Sequence, residues 1–239
     1  LSSTPEKTKS GSNWLGSPPE RLRRVAVEAG GESRTYNPGF GLKVARGIVE
    51  TLRLLAPMTS AVIAATVVLA LQWVLVNQGI WQTFAVSGLV LVGAGFVAAA
   101  VTVLMKWLCV QRIKAGDHQL WSAFVWLNEL QDQFVETVAG PWFLAHTMGT
   151  GSLNMFLRAL GAQIGRGAWL DSYWLPEADL VSIGRGASVG PGCVVQTHLF
   201  QDRVMSLDTV TLGDGATMGP HSVALPAAAI EKAATVGPA

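Results

Sequence analysis

The sequence predicts a mixed fold: a transmembrane α-helical hairpin followed by a left-handed parallel β-helix of hexapeptide repeats. Three observations predict it. Two long stretches are free of charge, Ala56–Val76 over 21 positions and Gly79–Met105 over 27. Beyond residue 162, aliphatic residues recur every six positions. Only 14% of the 239 residues are charged and half are apolar, against roughly 25% charged in an ordinary soluble domain.

A hydrocarbon core of about 30 Å needs roughly 20 helical residues, so both uncharged stretches are long enough to span. They place a two-helix hairpin at residues 48–110, after a linker at 21–47, with Asn77-Gln78-Gly79 as the turn. A soluble core hairpin is the competing reading, but such helices are rarely apolar all round for this length. Gly88, Gly93 and Gly95 either let the two helices approach closely or simply reflect membrane composition. Lys43, Arg46 and Arg53 precede the first span; Lys106, Arg112 and Lys114 follow the second. The positive-inside rule then puts both flanks, and all that follows, on the cytoplasmic side of a cell membrane crossed more than once. A net charge of +1 gives no basic field for nucleic acid.

Residues 111–161 form a bridge. Trp121, Phe124, Val125, Leu127, Leu130 and Phe134 recur at helical spacing, with Asn128, Glu129, Gln131, Asp132 and Gln133 mostly between them. This suits an amphipathic helix, lying in the membrane plane with Trp121, Trp126 and Trp142 at headgroup level or packed on the domain that follows. Pro141 is expected to break the stretch into two helices.

Residues 162–239 carry the repeat. Ile164 and Leu170 open the series; Ile183, Val189 and Val195 continue it; Leu212, Met218, Ala224, Ile230 and Val236 complete it. A hexad period marks a parallel β-helix. Each hexad gives one short strand and one turn, three hexads close a coil, and the aliphatic residues stack inside. Gly186, Gly192 and Gly215 fall three residues after an aliphatic position, where a tight corner favours glycine. Val195 and Leu212 are 17 residues apart, which breaks the phase. Leu199–Ser206 is therefore expected to leave the prism as a loop, and solenoid loops often bind. At the other end, Asn13-Trp14-Leu15-Gly16-Ser17-Pro18-Pro19 resembles the segment that closes hexapeptide acyltransferase coils. Residues 1–20 are thus expected to be the tail of a preceding β-helix domain, with tandem copies in a longer protein.

Several runs resemble one family. Ser172–Leu180, Ala187–Val189, Gly192–Phe200, Asp202–Met205, Asp208–Leu212 and Gly219–Val223 resemble the C-terminal region of Pls-type non-ribosomal peptide synthetases, which include the ε-poly-lysine synthetase. Leu120–Trp126, Asn128–Leu130 and Leu157–Gly161 resemble it too. The resemblance implies β-helix domains, separated by transmembrane helices, that join amino acids by amide bonds. The acyl group would arrive as a phosphopantetheine-tethered aminoacyl thioester on a separate carrier domain, since no adenylation or thiolation domain is read in this chain. Expected partners are membrane lipid, upstream adenylation and thiolation domains, sister β-helix domains, and other subunits where such β-helices assemble as oligomers. Two other readings stand beside this one: a coenzyme A-dependent O- or N-acetyltransferase, and a non-catalytic membrane scaffold.

An amine that attacks a thioester must lose a proton, and histidine is the usual acceptor. His198, at a corner just before the irregular loop, is the first candidate base. His221 takes the same hexad position 23 residues on, one coil away if the loop adds five residues. Asp202 and Arg203 are candidates to orient His198 or grip a charged substrate, and Gln196 and Thr197 to bind substrate or supply oxyanion donors. Glu177 and Asp179 follow Pro176 and read either as simple turn residues or as a lure for a cationic amino acid. Cys193 reads as structural. No residues have metal-ligand spacing.

Overall fold

The structure is a computed structural model that describes residues 13–15, 20–22 and 31–238. Most of the expected tail of a preceding domain, residues 1–20, lies outside the described residues. Within it, β1 (Asn13–Leu15) pairs antiparallel with β2 (Glu20–Leu22).

Helix α1 (Phe40–Leu52) leads into α2 (Leu55–Gln78), and α3 (Ile80–Cys109) returns. The turn is Gly79 alone, at φ 93°, a backbone angle that glycine adopts without a Cβ clash. Two helices are thus long and apolar enough to cross a membrane. Leu69, Trp73, Phe84 and Leu89 are among their exposed apolar side chains. The glycines do not serve the α2–α3 contact. A Cβ at Gly88 or Gly93 would meet nothing within 4 Å, whereas one at Gly95 would lie 2.6 Å from the Trp142 carbonyl oxygen. Gly95 lets a different helix in.

That helix belongs to the bridge. A short strand β3 (Gly116–Gln119) precedes α4 (Ala123–Phe134). Ser122 caps α4 by accepting a hydrogen bond from the Val125 amide, as a serine at this position commonly does. The chain continues without a break as a π-helix, Val135–Leu144, and a single turn, α5 (Ala145–Thr147). Pro141 lies inside the π-helix, so the expected break at this proline is not there. The break comes instead at Gly149, with φ 71°, before α6 (Gly151–Leu160). Nor is α4 spread on a surface. Leu130, Phe134 and Val138 pack with Ala56, Ile63 and Ala98 of the long helices. Val125 and Trp126 pack with Leu180, Met205 and Leu207. The bridge is a layer with partners on both sides, which is why its polar Asn128 and Gln131 are buried.

Beyond α6 the chain visits three parallel sheets in rotation. The first holds β4 (Gln163–Ile164), β6 (Val181–Ile183), β11 (Val210–Leu212) and β14 (Ala229–Ile230). The second holds β5 (Trp169–Leu170), β7 (Ser188–Val189), β12 (Thr217–Met218) and β15 (Thr235–Val236). The third pairs β8 (Val194–Val195) with β13 (Val223–Ala224), and Trp174 makes an isolated bridge to Val194. In register, Ile164 meets Ile183, which meets Leu212, which meets Ile230. Leu170, Val189, Met218 and Val236 align likewise. These are the hexad positions, and most of them are buried in one continuous core with Phe156, Leu157 and Leu160 of α6. Gly186, Gly192 and Gly215 stand at the corners with φ between 64° and 69°.

The phase break has a structural cause. Successive circuits advance 19, 29 and 18 residues along the first sheet, read from the aligned residues 164, 183, 212 and 230. The long circuit contains an antiparallel hairpin, β9 (His198–Gln201) and β10 (Val204–Leu207), joined by Asp202-Arg203 at φ 50° and 61°. Two residues with φ > 0 make the turn whose twist suits a hairpin. Strand β3 pairs along β10, so the excursion is a three-stranded sheet that ties the bridge to the parallel sheets.

Candidate active site

The stretch between β5 and β6 carries no regular strand on the third face beyond the Trp174 bridge. It runs through Pro176 into a 3-10 turn, Ala178–Leu180, and drops Glu177 into the interior with no exposed surface. A buried carboxylate needs partners, and that of Glu177 has three. Thr197 Oγ1 donates to its Oε2. Asn128 Nδ2 donates to its Oε1 at 2.8 Å. The two oxygens lie 2.9 Å from His198 Nδ1. Its own backbone N–H donates to the Thr197 hydroxyl at 3.3 Å. Thr197 is fully buried, so its hydroxyl is held between the Glu177 amide and carboxylate.

His198 is the first residue of the hairpin and lies edge-on to Phe200, with ring centroids 5.3 Å apart. With Nδ1 committed to Glu177, Nε2 is the nitrogen left for a substrate. His198 and Gln196 line a cavity of about 220 Å³. Its walls are largely apolar, including Phe156, Leu157 and Leu160 from α6, and Leu175 and Val194 from the sheet region. Tyr173 and Trp174, stacked at 5.1 Å, line it as well. Asp132 of α4 and Glu136 of the π-helix supply acidic groups. Burial holds the Asp132 carboxyl well above the usual carboxylate range, and the neighbouring charges of Glu177, Glu136 and Glu129 push it the same way. Gln196 donates its side-chain amide to the His198 carbonyl at 3.0 Å, which braces the corner.

The other candidates lie elsewhere. His221 is an exposed corner residue whose amide donates to the Pro191 carbonyl at 3.0 Å. Val194 pairs with Val223, so His221 stacks over Gly192, before β8, whereas His198 follows β8. The two imidazoles are on different corners and do not form a pair. The expected spacing rested on a five-residue loop, and the long circuit is eleven residues longer than the 18-residue one. Asp202 and Arg203 are at the far end of the hairpin from His198. Arg203 sits over the Tyr36 ring at 4.9 Å and donates to the Thr35 carbonyl at 3.5 Å. Asp179 has its cation within the chain: Lys106 Nζ lies 2.7 Å from Oδ2, with both side chains buried. Among the described residues no group of His, Cys, Asp and Glu could hold a metal ion.

Sequence reasoning missed the residues that complete the site. In the sequence Glu177 reads only as a turn residue or lure, and Asn128 and Asp132 only as the polar side of a helix. One signal was present: three polar residues, Asn128, Gln131 and Asp132, interleave with Val125, Trp126, Leu130 and Phe134 on a helix too apolar for a free surface.

No family model and no solved structure matches the chain. A search of curated proteins gives a relative, the Delta-poly-L-ornithine synthetase of Acinetobacter baumannii (strain AB307-0294), 32% identical over 241 residues. The match covers 99% of this chain and 18% of that protein. The chain is thus similar, over nearly its whole length, to one stretch of a much longer protein named for making poly-L-ornithine.

Proposed function

We propose that this chain is a membrane-embedded, acyltransferase-like module of a Pls-type amino-acid homopolymer synthetase, and that it forms amide bonds between an aminoacyl thioester and an amine. The three parallel sheets are read as a left-handed β-helix of the hexapeptide type, on the cytoplasmic side of the membrane. The observation that carries the reading is the His198–Glu177 pair at the edge of a mostly apolar cavity. The relative's name and the two apolar helices support it.

The chemistry follows from the geometry. Glu177 accepts a hydrogen bond from Nδ1–H and fixes the tautomer, so Nε2 is the basic nitrogen. The substrate amine attacks the thioester carbonyl carbon. As the C–N bond forms, His198 Nε2 takes a proton from that nitrogen. The C–S bond then breaks, and the imidazolium returns the proton to the departing thiolate. Glu177 stabilises the imidazolium in between, as a buried carboxylate does behind a catalytic histidine. The apolar walls keep water from competing for the acyl group. The acyl group would come from a separate carrier domain, which holds it as the thioester.

The test uses the full-length protein that carries this chain, with amino-acid activation and carrier loading followed separately. His198→Ala is expected to leave both intact and abolish polymer. Polymer formed at the normal rate would remove His198 as the base and favour a scaffold role.

A further inference from the structure

The cavity is lined by two carboxyl groups that the His198–Glu177 pair does not use, Asp132 and Glu136. Asn128, Asp132 and Glu136 follow one another four residues apart, so they share one side of the helical bridge. Asn128 holds Glu177, and the other two line the cavity. Among the described residues the Asp132 carboxyl receives no hydrogen bond and forms no ion pair. The guanidinium whose charge reaches Asp132, that of Arg53, is engaged with Glu50 and Glu129. A largely desolvated carboxylate without a partner costs stability, and in a cleft beside a paired histidine it points to function.

Its missing partner is a cation. Two carboxyl groups, Asp132 and Glu136, line the cavity together with His198, and the stacked rings of Tyr173 and Trp174 also favour a cationic guest. Asp132 and His198 line the same cavity, so one guest with two nitrogens can meet both.

We infer that Asp132 is the specificity-determining residue of this site: it holds a second ammonium group of a diamino substrate while His198 takes the proton from the reacting amine. The inference rests on the amide-forming reading above. The bound ammonium keeps its proton throughout, and only the amine facing His198 becomes a nucleophile. A substrate without the second charge leaves Asp132 unpaired, so the site selects against it.

The test compares two acceptors in the full-length protein preloaded with its aminoacyl group: L-ornithine and 5-aminopentanoate, which lacks only the α-ammonium. Loss of a hydrogen-bonded charge predicts that Asp132→Asn raises the KM for L-ornithine about 10- to 100-fold, with kcat little changed. The KM for 5-aminopentanoate should not move, and Asp132→Glu should restore part of the preference. Carrier loading and the thermal midpoint report whether the variant is folded. Equal effects on both acceptors, or on neither, would overturn the inference. His198→Ala in the same assay separates the two ideas. Transfer lost in His198→Ala, with acceptor preference unchanged in Asp132→Asn, sinks the Asp132 assignment alone. Transfer at the normal rate in His198→Ala sinks the base, while the acceptor preference still decides Asp132.

Discussion

Glu177 and His198, 21 residues apart in sequence, meet with both carboxylate oxygens 2.9 Å from the imidazole Nδ1. One is wholly buried, and the other reaches the cavity. The carboxylate is held by Thr197 and Asn128, so the ring is oriented by groups that cannot move independently. Glu177→Gln keeps the shape and removes the charge. It is expected to lower the rate of amide formation by about 10²- to 10⁴-fold, the usual worth of general-base catalysis, without loss of carrier loading. A rate within a few-fold of the parent would show that Glu177 only fills space.

Asp132 ties stability to pH. Its carboxyl titrates above the unfolded value because it is buried and faces other carboxylates. Between the two values the native state binds more protons than the unfolded chain, so stability falls as pH rises through that window. Asp132→Asn should therefore be more stable than the parent at neutral pH, by roughly 1–3 kcal/mol, the cost of an unsatisfied buried polar group. The difference should fade below the ordinary carboxylate range. Thermal unfolding in detergent at several pH values checks this, and a gain that persists in acid would contradict it.

Lys106 and Asp179 join the end of α3 to the turn that positions Glu177. Asp179 also accepts from the Ile113 amide at 3.1 Å. Lys106→Met leaves that carboxylate buried and unpaired, which typically costs about 3–5 kcal/mol. Pairing it with Asp179→Leu should recover most of the loss. Unfolding midpoints of the single and double variants decide, and equal losses in both would show that the charge pair is not the cause.

Gly95 and Gly88 offer a matched contrast on one helix. A Cβ at Gly95 meets backbone at 2.6 Å, and one at Gly88 meets nothing within 4 Å. Gly95→Ala must displace the π-helix, at a cost of about 1–3 kcal/mol. Gly88→Ala should stay within about 0.5 kcal/mol. Similar midpoints for the two would mean that the π-helix does not press on α3.

His221 stands at a corner where Gly192 stands one circuit earlier, and it holds φ at 60°. A side chain costs roughly 1–2 kcal/mol in that conformation. His221→Gly should therefore be at least as stable as the parent and should form polymer at the parent rate. A large loss of rate would bring His221 back into the chemistry.

Much of the strand region is legible in the sequence because its rule is local. Ile183, Val189 and Val195 repeat at six, and the sheets align them with Leu212, Met218 and Ala224. The break in phase correctly marked the segment that becomes the hairpin. The two long apolar helices were legible for the same reason. The site was only half legible. His198 stands out as a histidine at the break, but Glu177 lies in a stretch where the hexad lapses. Its partner Asn128 is 49 residues away on another layer. Asp132 and Asn128 looked solvent-facing because a helix pattern reports one apolar face, and α4 is covered on two. Pro141 misled because the chain passes through it as a π-helix that continues α4 without a break.

The central claim is that His198 and Glu177 act as one unit on the amine. Single-turnover amide formation from the preloaded full-length protein, in His198→Ala, Glu177→Gln and the double variant, tests it most directly. The account predicts a large loss in each single variant and no further loss in the double beyond His198→Ala, as for residues that work together. Normal transfer in His198→Ala, or losses that multiply in the double variant, would contradict it.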